Sequence, residues 1–192
     1  MIEGPDASSA GQTAGDYKKQ KDANMEQLDM TELDYIERIA TIGPDLGVET
    51  SLEAFALLEE AIGVYPNSTS LWCLRGDVIQ MGGEDSPYTL EDALQSYEHA
   101  ASLDPKCSEA HEEIGDYWDL MGGSDLPKAE DAFRKAIALG CGPGGYLGLA
   151  RVLAQRGHPK EGIRLLGETC PFKDDDQIIT MRDEIETGQW SV

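Results

Sequence analysis

A trio of residues recurs along this chain at positions i, i+4 and i+7: a small residue, a bulky apolar residue, and a second small residue. Ala93, Tyr97, Ala100 and Ala129, Phe133, Ala136 are the full copies; Ala54, Leu58, Ala61 is fainter, and Gly162, Leu166, Thr169 is degraded. That spacing places each trio on one face of a helix. The last members fall at 61, 100, 136 and 169, so the steps are 39, 36 and 33 residues. A helical signature with a nearly fixed period predicts stacked helical units, each covering the apolar face of its neighbour.

Punctuation residues between the apolar stretches predict helices over 25–42, 51–64, 70–81, 89–103, 108–121, 126–139, 144–155 and 159–168. Gly43-Pro44, Pro66, Gly82-Gly83, Asp104-Pro105, Gly122-Gly123, Gly140 and Gly157 mark the stops. Thr89 with Asp92 forms a capping-box start, and Ser51 reads as an N-cap. A last helix over 174–187 carries Ile178, Met181 and Ile185 on one face, and predicts a cap over the final unit. Residues 1–24 are polar and aperiodic, with Lys18, Lys19 and Lys21 as their basic cluster; they read as a disordered arm. The expected units are 25–66, 67–106, 107–140 and 141–170, followed by a capping helix and tail over 171–192.

The 192 residues carry a formal charge of −22. It is spread as −9 over 25–66 and −5 over each of 67–106 and 107–140, while 141–170 is +2. Such a field repels nucleic acid and anionic membranes and draws in basic partners; a merely solubilising surface would carry the same charge. No apolar run approaches the ~20 residues of a membrane span, and the N-terminus lacks a signal-peptide core, which favours a cytoplasmic protein with the nucleus as the alternative. The four cysteines are scattered singly and read as reduced thiols. Cys73, Cys107 and Cys141 stand 34 apart, but Cys73 falls inside a helix while the other two fall at turns, so the interval is not a repeat of its own.

At this point the chain resembles the tetratricopeptide-repeat (TPR) family, whose helix-turn-helix unit carries Trp, Leu-Gly, Ala, Phe or Tyr, Ala and Pro. Trp72, Gly76, Ala93, Tyr97, Ala100 and Pro105 match in the second unit, with Arg75 in place of Leu. Ile114-Gly115, Ala129, Phe133 and Ala136 match in the third, with His111 in place of Trp. The fourth keeps Leu147-Gly148, and the first keeps Ala54, Leu58, Ala61 and Pro66. The resemblance spans residues 30–170 and implies an all-α, right-handed superhelix of antiparallel helix pairs, about 3.5–4 repeats, with a C-terminal capping helix. Trp72, Tyr97, Trp118 and Phe133 are expected in the core.

TPR proteins mostly bind a partner's extended segment or helix in a groove lined by the first helix of each repeat. Carried over onto this chain, groove positions include Asp77 and Gln80 in the second repeat, and Glu109, Glu112, Glu113, Asp116 and Asp119 in the third. Taking Gly148 as the register residue of the fourth repeat adds Tyr146 and Leu149. The implied groove is acidic in the middle and apolar toward its C-terminal end. It suits a Lys/Arg-containing helix or extended segment with an apolar anchor. The TPR subclass that clamps a C-terminal carboxylate needs Lys or Asn where this chain has Cys73, Asp77 and Glu112, so that mode is rejected. The expected function is a non-enzymatic adaptor or scaffold. The alternatives are a small acidic TPR chaperone for a client such as a secreted translocator and, more remotely, an enzyme or enzyme subunit on a helical-repeat scaffold.

Three motifs are set aside. Gly140-Cys141-Gly142-Pro143-Gly144-Gly145 fits G-x-G-x-x-G but follows a helix, whereas a dinucleotide site needs a preceding strand. Asp174-Asp175-Asp176 opens a helix, where acids are favoured by the dipole. His99, His111 and His158 have no companions at metal-ligand spacing. No metal, cofactor or catalytic group is expected.

Overall fold

The computed structural model describes residues 30–42, 52–82 and 86–190. The expected arm over 1–24, the helix start at 25, the Ser51 cap and Gly83 lie outside the described residues. Within them the chain is all-α: α1 (Glu32–Ile42), α2 (Leu52–Val64), α3 (Thr69–Gln80), α4 (Leu90–Leu103), α5 (Ser108–Met121), α6 (Leu126–Ala138), α7 (Pro143–Gln155), α8 (Pro159–Arg164) and α9 (Asp176–Glu186). Consecutive helices pack as antiparallel pairs α1/α2, α3/α4, α5/α6 and α7/α8, and α9 packs on α7 and α8.

The starts and stops follow from local chemistry. Thr89 and Asp92 make the expected capping box, with the Thr89 amide donating to Asp92 at 2.8 Å. The same device opens α1, where the Thr31 amide donates to Asp34 at 2.8 Å. In both, hydrogen bonds from the threonine hold the aspartate below its ordinary range. Ser68 caps α3 by accepting from the Leu71 amide at 3.1 Å. Gly122 and Gly123 adopt φ of 65° and 54°, the left-handed turn that separates α5 from α6.

All nine residues of the first three trios are buried, with Leu58, Tyr97 and Phe133 at 0 % exposure. The glycines explain how the helices come so close. A Cβ at Gly76 would stand 2.3 Å from the Tyr97 ring, and one at Gly115 would stand 2.7 Å from the Phe133 ring. Trp72 and Trp118, expected in the core, are only partly buried. Trp72 donates its indole N–H to Pro66 O at 2.9 Å and meets His99 edge to face, while Trp118 receives Lys128 Nζ at 3.7 Å over its ring.

Arg75 stands where the resemblance puts Leu, and its surroundings supply the reason. It donates to Glu59 at 2.8 Å and to Ser96 at 2.7 Å, and lies 4.7 Å over the Tyr88 ring, joining α2, α3 and α4. The helix expected over 159–168 is α8 followed by a π turn, Leu165–Thr169, closed by Cys170 N–H to Leu165 O at 2.9 Å. The wider turn rotates Thr169 out to solvent and Cys170 in, so Cys170 takes the buried small-residue role.

Candidate functional site

The face built by successive first helices (α3, α5, α7) carries most of the residues expected to meet a partner, but its C-terminal end differs from the expectation. Leu149 is 4 % exposed and packs with Leu126, Phe133, Val152 and Leu153. Tyr146 is 9 % exposed, lies edge-on to Phe172 at 6.0 Å and joins the cluster that the capping helix closes with Ile178 and Ile185. Neither residue is open to a partner.

The cause is a register two residues later than Gly148. A Cβ at Gly162 would meet Ala150 O at 2.9 Å, whereas Gly148 faces the Phe133 ring of the preceding repeat at 2.3 Å. Ala150 therefore occupies the position that Gly115 holds in the third repeat. Arg151 then corresponds to Asp116, and Gly144 to Glu109. The polar side chains that the fourth repeat brings to the face are Arg151 and Gln155, beside Gly144 and the partly buried Leu147.

Arg151 reaches across to the third repeat. Its Nε donates to Asp119 at 2.5 Å and its Nη2 to Asp116 at 3.2 Å, while Gln155 donates to Asp119 at 3.2 Å. Asp119 is nearly enclosed, with 6 % of its side chain exposed. It serves as an inter-repeat staple. Arg151→Ala is expected to cost about 2 kcal/mol, because it leaves the Asp119 carboxylate buried beside a second acid. A urea titration checks this, and a loss below about 0.5 kcal/mol, the size of a surface pair, would contradict the staple.

Glu112 is also engaged. The N-cap of α7 is Gly142, which has no side chain to offer, and the Glu112 carboxylate from α5 lies against the first turn of the helix in its place. The carboxylate fills the space a Cβ at Gly144 would need, 2.0 Å from that position. A neighbouring repeat thus caps this helix, and the G-x-G-x-x-G turn has a carboxylate where a phosphate would sit. Burial followed by the Asp116 charge raises Glu112 above its ordinary range.

Asp77, Gln80, Glu109 and Glu113 remain. Tyr97 donates its hydroxyl to Asp77 at 2.9 Å and accepts from Gln80 at 2.8 Å, so a core side chain orients both. Burial raises Asp77 despite that bond. Glu113 makes no hydrogen bond or ion pair among the described residues. Burial, then Asp77, Asp116, Glu112 and Glu109, pushes it up to about 8. Glu109 is exposed and also without an ion pair among the described residues. Sequence reasoning missed Arg151, Gln155 and the buried Glu130, which pairs with Arg134 and Arg156. The second-helix trio fixes the first two only through the residue that faces Gly162, and the structure, not the sequence, identifies that residue as Ala150.

The decoy at 174–176 is a cap: Asp175 accepts from the Gln177 amide at 2.8 Å. Among the described residues no helix is long and apolar enough to cross a membrane.

Helix pairs stacked through small residues and one aromatic per repeat, closed by a helix over the last pair, define the tetratricopeptide-repeat fold, and this chain has it. A thermophilic TPR protein of Thermus thermophilus matches with a TM-score of 0.62 at 15% identity, over 91% of this chain and 91% of that one. MamA matches with a TM-score of 0.52 at 16% identity, over 93% of this chain and 96% of that one. No family model matches the sequence, and no curated protein matches it.

Proposed function

We propose that the chain is a non-enzymatic protein-interaction module that receives a Lys/Arg-containing segment of a partner protein on the face of α3 and α5. Asp77, Glu109 and Glu113 are the contact carboxylates, and Gln80 is a neutral hydrogen-bonding neighbour. The observation that carries the reading is the state of Glu113. It is half-buried among four other carboxylates and has no cation beside it among the described residues. A lysine or arginine delivered there would relieve that repulsion, and would do so in a partly desolvated setting where charge pairing is strongest. Asp116, Asp119 and Glu112 contribute to the field of the face while serving the third and fourth repeats' own packing.

The test is fluorescence anisotropy with labelled amphipathic peptides rich in Lys and Arg, each paired with a charge-reversed control. The basic peptides are expected to bind, with affinity falling as salt rises. Glu109→Lys combined with Glu113→Lys is expected to weaken binding about 100-fold, near 3 kcal/mol. Equal affinity for the charge-reversed peptides, or unchanged low-salt affinity in the double variant, would remove the assignment.

A further inference from the structure

We propose that Cys73, Cys107 and Glu109 form a binding site for a zinc-class divalent cation at the junction of the second and third repeats. The two Sγ atoms and a Glu109 carboxylate oxygen all lie within 4.8 Å of one another. Ligand atoms around a tetrahedral ion with bonds of about 2.0–2.3 Å stand roughly 3.3–3.8 Å apart, so modest side-chain rotation closes the set. The donors come from two rigid elements. Cys73 lies in the middle of α3, Cys107 is the N-cap of α5, and Glu109 is in the first turn of α5.

The pairing of the thiols is a product of the fold. One repeat of travel returns the chain beside itself, so two cysteines 34 residues apart meet although neither motif nor helix joins them. Cys73 is 1 % exposed, Cys107 is partly exposed and Glu109 is open to solvent. The arrangement has a buried floor and an open side, where a water molecule would complete four-coordination, and an ion held there competes with a partner's cation for Glu109.

The surroundings favour a cation. Asp77 on α3 and Glu113 on α5 carry no ion pair among the described residues, so the junction holds uncompensated negative charge. A divalent ion offsets that charge: two S–H bonds give way to two metal–sulfur bonds, and both protons leave to solvent. The site also has a mechanical role. No ion pair joins α3 to α5 among the described residues, whereas Arg151 joins α5 to α7. The bound ion would tie α3 to α5, supplying the cross-link that Arg151 supplies between α5 and α7.

The test uses the full chain, reduced, metal-free and titrated with Co²⁺. The expected result is a thiolate-to-cobalt charge-transfer band with the strong visible bands of tetrahedral cobalt, saturating at equimolar metal and displaced by Zn²⁺. Cys107→Ser, a half-buried position where the exchange leaves no cavity, is expected to weaken binding at least about tenfold. Cys141→Ser and Cys170→Ser are expected to bind as wild type does. Zn²⁺ is expected to raise the Tm of wild type and not that of Cys107→Ser. Absence of the charge-transfer band in the reduced wild type, or its survival undiminished in Cys107→Ser, would overturn the site.

Discussion

Phe133→Ala is expected to lower the free energy of unfolding by about 4 kcal/mol, the upper range for a core aromatic. Phe133 is fully buried and sits between two backbones, with the sites of absent Cβ atoms 2.7 Å away at Gly115 and 2.3 Å away at Gly148. Glycines have no side chain to collapse into the cavity, so relaxation recovers little. The damage should also be local, because a repeat array is held together by contacts between neighbours. Hydrogen exchange is expected to show α7, α8 and α9 losing protection before α3 and α4. A loss below about 2 kcal/mol, or a uniform loss of protection, would mean that Phe133 does not hold the third and fourth repeats together.

Glu113→Gln is expected to flatten a fall in stability that the wild type shows as pH rises from about 5 to about 8. The sign follows from the two states. Unfolded, the carboxyl titrates near its ordinary 4.5; folded, it titrates near 8. Below the lower value both states hold the proton and the difference is constant. Between the two, the unfolded chain has released a proton that the folded chain retains, so each rise in pH favours unfolding. Above about 8 both are ionised and the penalty stays. Water still reaches this half-buried group, so the expected gain for Gln over Glu at pH 8 is about 2 kcal/mol rather than the full converted shift. Parallel pH profiles for the two proteins would show that the carboxylates on α3 and α5 do not repel as the geometry implies. The same linkage predicts that a cationic peptide releases a proton on binding at neutral pH, measurable by calorimetry in buffers of different ionisation enthalpy.

The repeat architecture was legible because each trio couples a helical period to a packing need. Ala93, Tyr97 and Ala100 had to face inward together, and the capping box at Thr89 fixed where their helix began. The candidate face was legible only in part. Asp77 and Glu109 could be placed from the second and third repeats, whose Gly76 and Gly115 do touch their own repeat's aromatic. The fourth repeat offered two small residues, Gly148 and Ala150, and local sequence cannot say which meets Gly162. A shift of two residues exchanged Tyr146 and Leu149 for Arg151 and Gln155, turning an apolar end into a basic one. Glu112 as a cap for α7 and the meeting of Cys73 with Cys107 are equally invisible in sequence, since both depend on how one repeat is laid against the next.

The α5–α7 junction bears on how such arrays are cut and recombined. The third repeat supplies the cap of the helix that follows it, and the fourth supplies the cation that two of the third repeat's acids require. Each holds a part the other lacks. The boundary at residue 140, where a repeat count would place the scissors, therefore runs through a shared assembly, and the two repeats are best moved or redesigned as one piece.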